Sequence, residues 1–272
     1  MNGATVGRLQ REVAALSARL APPRAALTRE QVAERAGISP DPWQRDLLRS
    51  AATEIIILAS RQSGKSTITS VLAAHRAAYA PRSLVLLLSP SLRQSGELYR
   101  KVRGVLAALG EAAPPAAEES ALRLQLANGS RVLCLPGREA TVRGFSAPDL
   151  VIEDESARVD DGLYMALRPM LATNPAARLV LLSTPFGRRG HFFREWTEGG
   201  PDWHRVRVTA EQCPRIPRDW LARERGRIGD WWFDQEFGCE FKEAEDSAFR
   251  AEDIAAALDA RVEPLFGVQN AA

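Results

Sequence analysis

A short stretch in the first quarter of the chain combines the residue types that bind nucleotide phosphates. It lies between an apolar run and an amphipathic run, and reads Ala59-Ser60-Arg61-Gln62-Ser63-Gly64-Lys65-Ser66-Thr67. This is the pattern of a Walker A loop, with Ala59 in the place of the usual first glycine. The backbone N–H groups of such a loop and the helix N-terminus form a cradle for anions. We therefore expect Lys65 to meet the phosphates of ATP and Ser66 to bind Mg²⁺; a chance Gly-Lys-Ser at a strand-helix turn is the alternative.

Lysine is rare in this chain, which makes its position in the loop informative. Only three of the 36 basic residues are lysines, and Lys65 is one of them. A compact ammonium suits a phosphate cradle, whereas arginine serves elsewhere as the general surface cation. The choice of residue supports the phosphate interpretation of the loop.

An apolar run that ends in acids supplies the second candidate element. The run begins after Asp149 and reads Leu150-Val151-Ile152-Glu153-Asp154-Glu155. Walker B strands end in an aspartate that holds Mg²⁺ through water, and many ATPases add a glutamate that polarises the attacking water. We assign these roles to Asp154 and Glu155, with an acidic loop after a core strand as the alternative. Glu153 interrupts the apolar run and leaves open which two acids play which part.

A candidate cation precedes this strand. Arg143 is followed by Gly144 in the segment Thr141-Val142-Arg143-Gly144-Phe145, twelve residues before Glu155. An arginine in this place can stabilise charge on a γ-phosphate in its own subunit or in a neighbouring one. An exposed surface arginine is an equally good interpretation from the sequence alone.

Two further motifs lie at places where they can contact a nucleotide. Ser183-Thr184-Pro185 follows a buried apolar run, where small hydroxyl side chains can sense the γ-phosphate; a plain turn is the alternative. Trp43 and Gln44 precede the P-loop and can stack on adenine and hydrogen-bond to it. A core tryptophan beside a surface glutamine explains that pair nearly as well.

Alternating apolar and amphipathic runs must position these residues. We predict strands at 54–59, 83–89, 150–152 and 179–183, with helices at 65–79, 91–109 and 160–172. This alternation predicts an α/β fold of the P-loop NTPase type, with a mostly parallel sheet flanked by helices. Asn128-Gly129 between two apolar runs predicts a β-hairpin insertion, and 112–119 is predicted to be a loop. A small helical, lid-like subdomain completes the predicted architecture.

The ends of the chain give weaker signals. Residues 6–20 have helical periodicity, and Thr28-Arg29-Glu30-Gln31 has the form of a capping box that starts a helix ending near Gly37. We expect an N-terminal helical segment at 1–40, the ATPase domain at 41–240 and a linker-like tail at 241–272. Residues 188–227 are crowded with arginine, and acids dominate after Glu236.

Composition excludes several classes of protein. The chain has 272 residues, 45% of them apolar, and a net charge of +2, which argues neither for nor against nucleic-acid binding. Its cysteines are Cys134, Cys213 and Cys239, a spacing that fits neither a zinc ribbon nor a disulfide framework. The three histidines lack metal-ligand spacing. No apolar run approaches the length of a membrane span or a signal peptide, so we expect a soluble protein of the host cytoplasm.

Taken together, these motifs resemble the ATPase domain of large terminase subunits, the motors that package DNA into viral proheads. The resemblance covers about Asp41 to Ile254. It is carried by Pro-Trp-Gln at 42–44, the arginine inside the P-loop, Arg143-Gly144, Asp154-Glu155, and Ser183-Thr184-Pro185 followed by Gly187. The P-loop arginine, Arg61, is the most distinctive of these.

The resemblance implies roles and partners beyond those read from the residues. Gln44 would read adenine, Arg61 would contact or sense phosphate, and Arg143 would act as a finger across subunits. Ser183 to Pro185 would couple hydrolysis to movement. Double-stranded DNA, a homo-oligomeric ring, a portal and a small terminase subunit are the implied partners, with ATP and Mg²⁺ as cofactors.

One departure from the family limits the expected activity. Such terminases usually continue into a nuclease domain, whereas this sequence stops at Ala272, so we do not expect it to cleave DNA alone. Two alternatives stay open at this point. In the first, the chain is a helicase-like nucleic-acid remodelling ATPase. In the second, it is a truncated prophage remnant that binds ATP or partner subunits without acting as a motor.

Overall fold

The computed structural model describes residues 26–142 and 144–243, and only the backbone of Thr141. The strands in these ranges are β1 (Glu54–Ala59), β2 (Leu84–Ser89), β3 (Ala116–Glu119), β4 (Arg123–Leu126), β5 (Arg131–Pro136), β6 (Leu150–Asp154), β7 (Arg178–Ser183) and β8 (His204–Val208). The α-helices are α1 (Arg29–Arg35), α2 (Pro42–Arg49), α3 (Lys65–Tyr79), α4 (Leu92–Leu109), α5 (Glu139–Val142), α6 (Asp161–Leu171), α7 (Gly190–Thr197) and α8 (Arg218–Glu236). The helix predicted at 6–20 and the tail after residue 243 lie outside the described residues.

The strands form one sheet in the order β3-β4-β5-β2-β6-β7-β1-β8. All pairings from β5 to β8 are parallel, while β3, β4 and β5 pair antiparallel. The carboxyl ends of β1, β6 and β7 therefore meet at one edge, where ligands bind in open α/β sheets. The P-loop NTPase architecture predicted from the sequence is confirmed, including the hairpin at Asn128-Gly129.

Apolar side chains alternate between the two faces of the central strands. Ile55 and Ile57 of β1 pack with α1, α3 and α4, and Ile56 and Leu58 pack with α6 and α7 on the other face. All four isoleucine and leucine side chains are almost completely buried. Burial of such a side chain stabilises the fold by about 1.5–3 kcal/mol. This two-sided burial fixes the carboxyl end of β1, from which the P-loop starts.

Two strands were not predicted, and both have weak apolar patterns. Ala116–Glu119, predicted to be a loop, forms β3 on the edge of the sheet with mostly exposed residues. His204–Val208 forms β8 on the opposite edge beside β1, and only Val208 is buried. Edge strands bury one side at most, so their sequences lack the continuous apolar run that marks a central parallel strand.

A small third core lies under α8. Ala210, Leu221 and Phe233 form it, separate from the two faces of the sheet. The backbone of α8 is interrupted at Gly229, where φ is 79° and ψ is 160°. The helical, lid-like subdomain expected from the sequence stays a prediction.

Candidate nucleotide-binding site

The P-loop turns from β1 into α3 through Gly64. Its φ of +88° lies in the left-handed region, which glycine adopts without steric cost. A Cβ atom at Gly64 would lie 2.8 Å from Gln44 Nε2 and 3.1 Å from Arg215 Nη2. Both side chains also donate to the carbonyl of Ser63, at 3.4 Å and 2.9 Å respectively. Only glycine fits this turn, which directs the N-terminus of α3 and Lys65 toward the carboxyl edge of the sheet.

Gln44 and Trp43 lie on α2, beneath the P-loop. Gln44 is buried, and its Oε1 accepts the backbone N–H of Asp41 at 2.9 Å in a capping box. Its Nε2 supports the P-loop carbonyl of Ser63. Trp43 is partly buried against the main core. The structure thus gives Gln44 a supporting contact to the loop, and its recognition of adenine stays a prediction.

Ser66 and Asp154 meet at the centre of the carboxyl edge. The Ser66 hydroxyl donates to Asp154 Oδ2 at 2.8 Å, across 88 residues of sequence. Burial raises the pKa of the Asp154 carboxyl, and the charge of Glu155 adds to this effect. The hydrogen bond from Ser66 and the charge of Lys65 oppose it. A divalent cation between these oxygens would offset the cost of a buried carboxylate.

Glu155 follows β6 in a strained conformation. Its φ of 56° and ψ of 39° are left-handed, which is unusual for a residue with a side chain. Its Oε1 lies 3.8 Å from the Nζ atom of Lys65. Strain of about 1–3 kcal/mol per residue persists where the surrounding structure over-determines the backbone, and it clusters at functional sites. The turn directs the Glu155 carboxylate toward the P-loop lysine.

Glu153 points to the opposite face of the sheet. Its carboxylate is fully buried and lies 2.8 Å from Nε2 of His191, while the Ser156 hydroxyl donates to the same oxygen at 2.8 Å. Burial lowers the pKa of His191, but hydrogen bonds and charges from Glu153 and Asp161 outweigh it, so the pKa is raised overall. Because side chains alternate along a strand, Glu153 and Asp154 cannot share one site. This geometry favours Asp154 and Glu155 as the pair beside the P-loop.

Several hydroxyl groups at the carboxyl edge are buried without a hydrogen-bond partner among the described residues. They are the Oγ atoms of Ser63, Ser89 and Ser183. A buried hydroxyl is rarely left without a partner, because desolvation costs about 1–3 kcal/mol. Phosphate oxygens and metal-bound water at this edge would supply such partners. The residues present therefore fit ATP and Mg²⁺.

Arg158 connects two predicted elements and was not singled out from the sequence. Its Nη1 lies 3.3 Å from Glu155 Oε2 and donates to Thr184 Oγ1 at 3.1 Å. Its guanidinium carbon lies 4.4 Å from the centre of the Phe186 ring. In sequence, Arg158 is one of many arginines after an acidic segment. Only the fold brings the end of β6 and the end of β7 together around it.

The P-loop arginine also has a partner that the sequence did not reveal. Arg61 forms an ion pair with Glu236 at the end of α8, and its backbone N–H donates to the Glu236 carbonyl at 3.2 Å. The second Glu236 oxygen lies 3.7 Å from Arg158 Nη2. The two arginines therefore share one carboxylate of α8. The side chain of Arg61 points to this carboxylate.

The other residues predicted for the site lie in the P-loop, on the first turn of α3 and at the end of β7. Ser60 and Lys65 are buried, Arg61 and Gln62 are exposed, and Ser66 and Thr67 are partly exposed on the first turn of α3. Ser183, Thr184 and Pro185 are buried at the end of β7. Arg143 lies outside the described residues.

Comparison with known proteins identifies the family. Residues 56–256 match the family model described as terminase large subunit, T4likevirus-type, N-terminal. This chain belongs to the terminase large subunit family. A curated relative, the terminase large subunit of Thermus phage G20c, is 28% identical over 255 residues. The alignment covers 81% of this chain and 52% of the relative, so this terminase chain spans about half the length of that relative.

Solved structures share the fold of this terminase chain. The large terminase ATPase domain of Thermus phage P74-26 superposes with a TM-score of 0.68 at 24% identity, over 77% of this chain and 97% of that one. The large terminase of a thermophilic bacteriophage, solved in complex with ATP-gamma-S, gives a TM-score of 0.59 at 12% identity. That alignment covers 74% of this chain and 52% of the other. Among the described residues of this chain, no helix is long and apolar enough to cross a membrane.

Proposed function

We propose that this terminase chain hydrolyses ATP with Mg²⁺ and uses the energy to move double-stranded DNA. The meeting of Ser66, Asp154, Lys65 and Glu155 at one edge of the sheet is the observation that carries the proposal. Membership of the terminase family and the ATP-gamma-S complex of a structural neighbour support it. A portal, a small terminase subunit and a homo-oligomeric ring are the partners that we propose for the working motor.

Each of the four residues has a proposed part in hydrolysis. Lys65 would hold the phosphates of ATP as a point charge, and Ser66 and Asp154 would hold Mg²⁺. The bound metal supplies charge neutralisation at the phosphates. Glu155 orients the attacking water and accepts its proton. Lys65 and Asp154 are almost completely buried, which strengthens the charge interactions that they make.

A turnover assay on the purified chain tests the proposal. We expect ATP-dependent phosphate release that requires Mg²⁺, disappears with a chelator and rises when linear duplex DNA is added. Lys65→Ala is the control for contaminating ATPases and should be inactive. Equal turnover by wild type and Lys65→Ala would refute the site. Greater stimulation by single-stranded than by duplex DNA would favour the helicase-like alternative, and ATP binding without turnover would favour the remnant.

Arg158 is proposed to position the catalytic glutamate. Removal of its guanidinium takes one of two basic partners from the Glu155 carboxylate, which keeps Lys65, and leaves Thr184 Oγ1 without a donor. We expect Arg158→Ala to lower kcat by about 10- to 100-fold, because small displacements of a catalytic group have effects of this size. The KM for ATP should change much less, since Lys65 still holds the phosphates.

Two further variants separate positioning from simple loss of packing. Arg189→Ala is the matched control, because Arg189 lies over the same Phe186 ring at 5.7 Å and has no ion pair with Glu155. Arg158→Lys should recover part of kcat, since it restores the charge without the fork-shaped donor set. Equal losses of kcat in Arg158→Ala and Arg189→Ala would contradict the positioning role.

A further inference from the structure

A buried histidine lies behind the turn that follows β6, on the face of the sheet that carries α6 and α7. His191 is the second residue of α7 and is 1% exposed. Its Nε2 lies 2.8 Å from Glu153 Oε1, and its Nδ1 lies 3.2 Å from Asp161 Oδ1. A histidine ring donates from both nitrogens only when it is protonated. The imidazolium form therefore satisfies both carboxylates at once.

This imidazolium balances a carboxylate that has no access to solvent. Glu153 is fully buried, and His191 is the basic side chain that pairs with it in the part of the chain that the structure describes. Within the same part, the second oxygen of Glu153, Oε2, has no hydrogen-bond partner. A buried charge is costly unless it is paired. The Glu153 carboxylate therefore depends on His191 for its charge balance.

Helix α6 fixes the orientation of the His191 ring. The backbone N–H of His191 donates to Asp161 Oδ1 at 2.6 Å, and the ring stacks on Tyr164 with centroids 4.7 Å apart and planes inclined by 9°. Burial raises the pKa of Asp161, but hydrogen bonds from Arg194 and His191 outweigh it, so the pKa is lowered overall. Asp161 is thus a charged partner that holds the ring with Nε2 directed at β6.

Ser156 connects this pair to the turn. It is fully buried, its hydroxyl donates to Glu153 Oε1 at 2.8 Å, and its Oγ lies 3.0 Å from His191 Nε2. We call Glu153, Ser156 and His191 the histidine network. Ser156 directly follows Glu155, the residue with the left-handed backbone. The network therefore restrains, from the far face of the sheet, the backbone that carries the Glu155 carboxylate.

The contacts behind the turn are shorter than those in front of it. On the nucleotide side, the Glu155 carboxylate lies 3.3 Å from Arg158 and 3.8 Å from Lys65. The distances within the histidine network are 2.8, 2.8 and 3.0 Å. A strained backbone persists only where the surrounding structure over-determines it. The histidine network is the tighter of these two restraints on the turn.

We propose that His191 is a positioning residue for ATP hydrolysis: through the histidine network it holds the turn that directs the Glu155 carboxylate toward the nucleotide. The role of Glu155 as a base rests on the proposed function, whereas the network rests on the distances. Because His191 belongs to α7, the network joins α7 to Glu155 without passing through the nucleotide. Glu153→Gln keeps an oxygen that accepts from both partners, so this variant should retain the turn.

His191→Phe tests this role in the purified full chain. Phenylalanine keeps a ring against Tyr164 but has no nitrogen to pair with Glu153. We expect kcat for ATP to fall by about 10- to 100-fold, because a small displacement of a catalytic group has an effect of this size. KM for ATP should change little, since the P-loop is untouched.

Amide hydrogen exchange reports on the turn without any need for turnover. The Arg158 N–H donates to the Glu155 carbonyl at 2.9 Å, and the Val159 N–H donates to the Ser156 carbonyl at 3.1 Å. These two hydrogen bonds close the turn. Exchange at both amides should be faster in His191→Phe than in wild type, because local opening costs less when a restraint is lost.

Two further variants separate positioning from packing. His191→Gln places an amide nitrogen at the same number of bonds from Cβ as Nε2, so it should recover slow exchange and part of kcat. Phe192→Leu is the matched control, because Phe192 is the next residue of α7, is equally buried and has no polar atom to bind the turn. It should lower Tm and leave kcat at the wild-type value. Equal losses of kcat in Phe192→Leu and His191→Phe would overturn the positioning role.

Ser156→Ala gives a test that keeps the buried ion pair intact. It removes the hydroxyl that joins the turn to Glu153, and it should lower kcat more than it changes KM. Wild-type kcat in folded His191→Phe overturns the proposal, and if that variant does not fold, wild-type kcat in Ser156→Ala overturns it. The proposed function fails on a different result, equal turnover by wild type and Lys65→Ala.

Discussion

Glu155→Gln is expected to bind ATP with nearly wild-type affinity and to hydrolyse it about 10²–10⁴-fold more slowly. This range is typical for the loss of a general base. An amide can hold the attacking water but cannot accept its proton. Lys65, Ser66 and Asp154 are unchanged in this variant, so the phosphates and the metal should keep their proposed ligands. Turnover and binding of a fluorescent ATP analogue measure the two effects separately.

Glu153→Gln is the matched control for this prediction. Glu153 lies immediately before Asp154 and Glu155 in the sequence, but its side chain faces His191 on the other side of the sheet. We expect turnover close to wild type and a lower Tm, because a buried carboxylate is lost from its partner. If Glu153→Gln stops hydrolysis while Glu155→Gln loses ATP affinity, the assignment of the acids is wrong.

Arg143→Ala is expected to lower turnover by about 10³–10⁵-fold if the arginine acts as a finger on a γ-phosphate, the effect known for such fingers. ATP affinity of the isolated chain should be retained, since the P-loop is unchanged. A phosphate-release assay and nucleotide binding together measure these two quantities. Arg45→Ala, which removes an exposed arginine of α2, should leave turnover unchanged.

Mixing experiments distinguish a finger that acts across subunits from one that acts within its own subunit. A mixture of Arg143→Ala and Glu155→Gln chains contains interfaces that pair an intact finger with an intact base. Partial recovery of turnover in the mixture supports action across subunits. A mixture as inactive as its components, beside concentration-dependent wild-type turnover, supports action within one subunit. Full activity of Arg143→Ala would make it an ordinary surface arginine.

The central strand-loop-helix unit could be predicted from the sequence because its signals are local. The predicted bounds of β1 and α3 coincide with the structure, at Glu54–Ala59 and Lys65–Tyr79. A fully apolar run marks a strand that is buried on both faces, and Gly64 marks the turn that follows it. The capping box from Thr28 to Gln31 is likewise present.

The contacts around the site could not be predicted because they join distant parts of the chain. Arg61 and Glu236 are 175 residues apart in sequence, and no local pattern links them. Arg158 meets Thr184 only because β6 and β7 are neighbours in the sheet. The ambiguity at Glu153 had the same origin. Side chains alternate along β6, so one acid faces α3 and the next faces the other side of the sheet. The sequence does not show which acid faces which side until the helices on both faces are known.

The strand order of the sheet has a consequence for the synthesis of the protein on the ribosome. β1 carries the P-loop, but its neighbours are β7 and β8, which follow it by more than a hundred residues. At about 5–20 residues per second, the ribosome needs roughly 6–24 s to supply β7 after β1 has been made. During that time Ile55, Ile56 and Ile57 have no strand to pair with. The nascent chain is therefore exposed to aggregation at the segment that leads into the P-loop, and a pause before β7 should increase its dependence on chaperones.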